Sequence, residues 1–265
     1  MRILFVGDVV GAPGRRIVRT RLKGLKRDLG ADLTIVNGEN AAGGAGLTTA
    51  TAEELFSAGA EVITTGNHVW DKREVLGLLE REPRVLRPAN YPAGSPGRGV
   101  TVVTSAGVKV AVVNLMGRVF MPLTDDPFAA VDRLLTELRD ETRIVIVDFH
   151  AEATSEKSAF AWFLDGRVSA VLGTHTHVAT ADARVLPGGT AFITDVGMTG
   201  PFDSVIGVKK EQAIERFRTS RSIPYETAEG DVRLTGVILD VDPHSGRATA
   251  IARVDLTESD AGTGR

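Results

Sequence analysis

Ile3-Leu4-Phe5-Val6-Gly7-Asp8 is a short run of β-forming apolar residues that closes on a glycine and a carboxylate, as a buried strand does where it opens into a turn. Similar runs recur at 33–36, 62–65, 108–113, 144–147, 168–172 and 192–194, with helical patterns between most of them. Between the first two, Val18, Leu22, Leu25 and Leu29 fall at i, i+4, i+7 and i+11, the apolar stripe of a helix lying on a sheet. That rhythm predicts a layered α/β sandwich. A second helix is expected to start at Thr51, because Thr51-Ala52-Glu53-Glu54 has the capping-box form, and a third after Asp71. Residues 83–99 are rich in Pro and Gly and read as a long loop. Two hairpins then break the βα order: 100–104 with 108–113 around Ser105-Ala106-Gly107, and 232–241 with 247–254 around Asp242-Pro243-His244-Ser245-Gly246. Two sheets packed together accommodate them better than one doubly wound sheet. No internal repeat is present, so residues 1–265 read as a single domain, with a small, polar, frayed tail over 258–265.

Composition narrows the function. The chain has 265 residues, 43% hydrophobic and 25% charged, the balance of a folded globular protein. Its net charge is -3, and the cluster of Arg15, Arg16, Arg19, Arg21 and Lys23 is too local to form a polymer-binding face, which disfavours duplex nucleic acid as a partner. With 0 cysteines, disulfides, thiolate zinc sites, iron-sulfur clusters and cysteine nucleophiles are excluded. The apolar start is too short for a signal peptide and is broken at Asp8, and no apolar run approaches the roughly 18 residues of a membrane span. A cytoplasmic location, away from membranes, is the expectation.

The chemistry gathers at strand ends. Of the 5 histidines, His68, His150, His175 and His177 each follow a predicted strand, and only His244, in a hairpin turn, is given no function. Asp8 ends the first strand, Glu39 and Asn40 the second, Asn67 and His68 the third, His150 the run over 144–147, and His175 and His177 the run over 168–172. One strand-end Asp or His is ordinary turn chemistry. Repetition at five strand ends is not, because ligands of α/β sheets bind beyond the carboxyl ends of strands. An extended His175-Thr176-His177 would turn both imidazoles to one face, where they could grip one metal or two adjacent ones. Carboxylates, amide oxygens and imidazoles together suit manganese, iron or zinc better than magnesium. Seven candidate ligands exceed one four-coordinate ion, and two ions about 3.5–4 Å apart would use them all. Asn114, Asp148, Glu152 and Asp195 read as turn residues or as hydrogen-bond partners of metal-bound histidines rather than as direct ligands.

Other sites fit less well. Gly7 to Gly14 lacks the G-K-[ST] ending of a P-loop and the spacing of a dinucleotide fingerprint, so its glycines are read as shaping a turn. Gly43-Gly44-Ala45-Gly46 is either a plain flexible loop or a place where a substrate phosphate approaches the backbone. No G-x-S-x-G elbow is present, which disfavours a serine hydrolase.

Gly7-Asp8, Gly66-Asn67-His68 and Gly173-Thr174-His175-Thr176-His177 resemble, in order and spacing, the blocks of the calcineurin-like metallophosphoesterases. More narrowly, residues 6–11 (Val-Gly-Asp-Val-Val-Gly), 37–44 (Asn-Gly-Glu-Asn-Ala-Ala-Gly-Gly), 66–71 (Gly-Asn-His-Val-Trp-Asp), 148–157 (Asp-Phe-His-Ala-Glu-Ala-Thr-Ser-Glu-Lys) and 173–177 look like the YmdB-type subfamily. The resemblance runs along nearly the whole chain. It implies a four-layer α/β/β/α sandwich, a dinuclear iron or manganese centre, a homo-oligomer, and hydrolysis of cyclic nucleotide phosphodiesters, with 2',3'-cyclic nucleotides favoured. Two departures from the wider superfamily matter: the usual D-x-H opening is Asp8-Val9-Val10, and the usual bridging aspartate is Glu39. Asn40 supplies the ligand lost at Val10.

Carried over by motif, one metal takes Asp8, Glu39, Asn40 and His177, and the other takes Glu39, Asn67, His150 and His175. Glu39 is the bridge. His68 has no metal role and is the expected general acid toward the leaving oxygen. The same cluster would also serve a phosphomonoesterase or a nuclease acting on nucleic-acid ends, and a nucleotide-binding regulator with weak turnover is a further alternative.

Overall fold

A computed structural model describes residues 1–260; part of the expected tail, 261–265, lies outside the described residues. The elements in chain order are β1 (Arg2–Val6), β2 (Asp8–Val9), α1 (Gly11–Leu29), β3 (Leu33–Asn37), α2 (Thr49–Ala58), β4 (Val62–Thr64), α3 (Val75–Arg81), β5 (Val100–Ser105), β6 (Val108–Met116), α4 (Pro127–Leu138), β7 (Ile144–His150), α5 (Thr154–Phe163), β8 (Ala170–Thr174), β9 (Arg184–Val185), β10 (Ala191–Ile193), β11 (Met198–Pro201), α6 (Lys210–Thr219), β12 (Val232–Val241) and β13 (Ala248–Thr257).

They form two sheets. The first has the order β2-β11-β12-β1-β3-β4, with β13 on the far edge of β12; the second has the order β5-β6-β7-β8-β10-β9. β1, β3 and β4 run parallel, as do β6, β7, β8 and β10, so two parallel centres are flanked by antiparallel strands.

The period of two along each strand explains the layering. On β1, Leu4 and Val6 pack with Ile17, Val18 and Leu22 of α1 and Leu55 of α2, whereas Ile3 and Phe5 point the other way. On β7, Ile144 and Ile146 meet Ile3 and Phe5 between the sheets, whereas Val145, Val147 and Phe149 pack under Val131 of α4 and Phe160 of α5. Both faces of both central sheets are apolar, as sheets covered on two sides require. The result is the α/β/β/α sandwich implied by the family resemblance.

Local corrections concern boundaries. α2 starts at Thr49, not Thr51, because Thr48 is the cap: its hydroxyl accepts from Thr51 N (3.1 Å) while Thr51 Oγ1 accepts from Thr48 N (2.9 Å). Glu54, expected to close that box, instead pairs with Arg15 and Arg19 of α1 at 2.7 and 2.8 Å. α3 begins only at Val75, after a turn in which His68 Nδ1 holds the Asp71 carboxylate at 2.8 Å. The hairpin of β5 and β6 turns on Ala106 and Gly107 (φ 49 and 77), a two-residue connection with both central residues left-handed.

Candidate metal centre

The carboxyl ends of β1, β3 and β4 meet those of β7 and β8 across the two sheets. Asp148, fully buried near the end of β7, helps join them: its carboxylate accepts from Asn37 Nδ2 (3.0 Å) and Thr64 Oγ1 of the first sheet and from Thr174 Oγ1 (2.7 Å) of the second. Burial pushes this carboxyl up to about 7, against the pull of His150 and the two hydroxyls. Asp8, Glu39 and His150, all buried, each offer a ligand atom within 4.8 Å of the others.

Around this centre the neighbouring polar side-chain atoms fall into two sets. His150 Nε2 lies 2.6 Å from Glu39 Oε2, 3.0 Å from Asn67 Oδ1 and 3.1 Å from His175 Nδ1. His177 Nε2 lies 3.3 Å from Asn40 Oδ1 and 4.0 Å from Asp8 Oδ1. All seven residues singled out in the sequence are therefore gathered in one place.

Hydrogen bonds at the outer ring nitrogens orient His150 and His177. Thr174 Oγ1 gives its hydrogen to Asp148, so it must accept from His150 Nδ1 at 2.9 Å, and Nε2 is left facing the cluster. His177 Nδ1 donates to Ile206 O at 2.8 Å, which likewise leaves Nε2 inward. His175 is reversed: Nε2 lies 3.1 Å from Glu152 Oε2, and Nδ1 faces inward to His150 Nε2 at 3.1 Å. Asn40 is turned by Nδ2 donating to Gly44 O (3.2 Å), which aims Oδ1 at His177.

The carboxylates are crowded and incompletely hydrogen-bonded. Asp8 Oδ1 and Glu39 Oε2 have no hydrogen-bond partner, although His150 Nε2 lies 2.6 Å from the latter. Burial pushes Asp8 up, opposed by His177 and His150. Burial acts in the same sense on Glu39, but His150 and the His68 amide outweigh it and hold this carboxyl below its usual range; burial lowers His150, yet Glu39 draws it above its usual value. His175 is pushed down to about 3 by burial and by the charge on His150, and stays neutral.

His68 stands apart from both sets. Its amide donates to Glu39 Oε1 at 2.6 Å, its side chain is 39% exposed, and Nδ1 meets Asp71 Oδ2 at 2.8 Å, which leaves Nε2 directed away from that contact. His175-Thr176-His177 is not extended as expected: His175 has φ 100 and His177 φ 66, and the two rings join different sets. Of the loop glycines, Gly43, Gly44 and Gly46 all have positive φ, and the turn they make brings Gly44 O to Asn40. Gly66 has a stricter requirement, because a Cβ there would run into the His150 ring. Gly66→Ala should displace that ring and cost about 1–3 kcal/mol of overpacking. Thermal unfolding and manganese uptake check this: both should fall in the variant.

Lys157 was not singled out by the sequence reading. It lies on the inward face of α5 with Phe160 and Ala161 and is fully buried. A lysine in register with an apolar stripe is the signal that could have found it.

Two helix-flanked sheets whose strand ends converge on carboxylates, amides and imidazoles define a protein of metallophosphoesterase type. More narrowly, the chain belongs to the YmdB-like proteins, whose family model matches residues 4–254. It is 51% identical over 258 residues to a 2',3'-cyclic-nucleotide 2'-phosphodiesterase of Bacillus subtilis, covering 97% of this chain and 98% of that one. A Thermus thermophilus protein of solved structure superposes with a TM-score of 0.92 at 48% identity, over 97% of this chain and 100% of the other. A Mycoplasma pneumoniae structure described as a novel phosphatase gives 0.91 at 38% identity, over 97% and 93%. Among the described residues no helix is long and apolar enough to cross a membrane.

Proposed function

We propose that the chain is a metal-dependent phosphodiesterase that opens 2',3'-cyclic nucleotides at a two-metal centre. The observation that carries this reading is the convergence of metal-ligating side chains in one site: Asp8 Oδ1 and Glu39 Oε2 lack hydrogen-bond partners, and three imidazoles each turn one ring nitrogen toward the same carboxylates and amides. Unpaired buried anions are costly, and cations among these atoms relieve them, so the residues fit a metal centre. Oxygen and imidazole ligands suit iron or manganese.

The two sets of ligand atoms support a count of two. Asp8, Asn40 and His177 would hold one ion, Asn67, His150 and His175 the other, and Glu39 would reach both. When bound, the ions supply Lewis acidity: they offset the charge of the phosphoryl oxygens and make water a competent nucleophile at neutral pH. Asp148 through Thr174, and Ile206 O, orient His150 and His177 with Nε2 toward the cluster, and Glu152 lies 3.1 Å from the outer nitrogen of His175. His68, oriented by Asp71 and tied through its amide to Glu39, donates a proton from its ring to the departing ribose oxygen.

The substrate class is supported by the name of the Bacillus subtilis relative. The same reading takes residues 1–265 as one catalytic domain with a small cyclic nucleotide as partner, without duplex nucleic acid or membrane. A homo-oligomer is also part of it, with the family resemblance as support, as is the cytoplasmic location expected from the sequence.

Hydrolysis of a 2',3'-cyclic mononucleotide, beside a simple phosphomonoester and a chelated control, tests the proposal. Chelator-sensitive turnover of the cyclic diester with little on the monoester is expected. Preference for the monoester would favour the phosphatase reading that the Mycoplasma pneumoniae protein's description suggests.

A further inference from the structure

Lys157 on α5 and Asp195 after β10 form an ion pair, 2.8 Å between Nζ and Oδ2, with both side chains fully buried. Desolvation of two charges largely cancels their attraction, so such a pair is weak grounds for stability in itself. What it holds is more informative. Lys157 Nζ also donates to Thr174 O (2.8 Å), and Asp195 accepts from Thr176 N at Oδ2 (3.0 Å) and from Gly197 N at Oδ1 (2.9 Å). The pair therefore grips the chain on both sides of His175, and through Thr174 it also braces the hydroxyl that orients His150.

The gripped segment is strained. His175 and His177 both have left-handed φ, at 100 and 66, a region that residues with a Cβ occupy only where their surroundings over-determine it. A bond from Val196 N to Gly173 O (2.9 Å) and another from Met198 N to His177 O (3.3 Å) fasten the same turn to the strand that follows Asp195.

We propose that Lys157 and Asp195 are positioning residues: together they hold 174–177 in the turn that sends His175 Nδ1 to one set of ligand atoms and His177 Nε2 to the other. This rests on the cluster being a metal centre.

Manganese binding followed by electron paramagnetic resonance, with thermal unfolding of the same samples, tests it in four full-length proteins: wild type, Lys157→Met, the double variant Lys157→Met/Asp195→Asn, and Val131→Ala. The double variant removes both charges and leaves neither orphaned. Val131→Ala opens a cavity under α4, away from the site. The pair variants should fold and bind manganese about 10–100-fold more weakly, the usual cost of losing support behind metal ligands, with turnover partly restored at high manganese. Val131→Ala should unfold at lower temperature yet bind as wild type does. Wild-type affinity in the pair variants, an equal loss in Val131→Ala, or failure of both pair variants to fold would overturn the assignment. Absence of manganese binding by the wild type would instead remove the metal centre on which it rests.

Discussion

Glu39→Gln is expected to bind at most one metal ion and to lose on the order of 10³-fold or more in turnover, because the several kcal/mol of charge stabilisation that a metal supplies correspond to that factor. Glu39 is buried, its Oε1 is fixed by the His68 amide, and its Oε2 lies 2.6 Å from His150 Nε2. An amide of the same shape removes the charge between the two sets and can place an N–H among lone pairs. Metal analysis and cyclic-nucleotide hydrolysis on the same sample check both effects. Full metal content in the variant would remove Glu39 from the bridging role.

His68→Ala should behave differently, retaining its metals while losing about 10²–10⁴ in turnover, the range of general-acid effects. The separation follows from which atoms of His68 do what. Its backbone N–H anchors Glu39, and alanine keeps that bond; its ring contacts Asp71 and none of the ligand atoms described above. The measurement is kcat beside metal content. A variant depleted of metal would make the ring a ligand or a structural element.

The parts of the fold legible in the sequence are those set by local periodicity. The run beginning at Ile3 could be read as a strand because it alternates between two apolar environments, and the stripe through Val18, Leu22 and Leu25 as a helix because those residues all face β1. The start of α2 was misread since Thr48 and Thr51 satisfy each other's amides, and no propensity distinguishes that pair from a Thr-Glu box. The two-residue β2 and four-residue β11 carry no period of their own; β2 exists through pairing with the distant β11, as Asp8 opposite Met198 shows, and β11 lies between β2 and β12.

The candidate site was legible to the extent that strand ends converge. Residue types at those ends named the seven residues whose side chains the structure gathers in the two sets. Backbone strain was not readable, so the His175-Thr176-His177 turn was expected to be extended, and the grip of Lys157 and Asp195 on it depends on contacts between β8, β10 and α5 that no sequence spacing encodes.

The proposed mechanism requires two metal ions among Asp8, Glu39, Asn40, Asn67, His150, His175 and His177. Elemental analysis of protein loaded with manganese and freed of excess ion tests it most directly. Two ions per chain, falling in Glu39→Gln and unchanged in His68→Ala, is the predicted result; one ion per chain or none would contradict it.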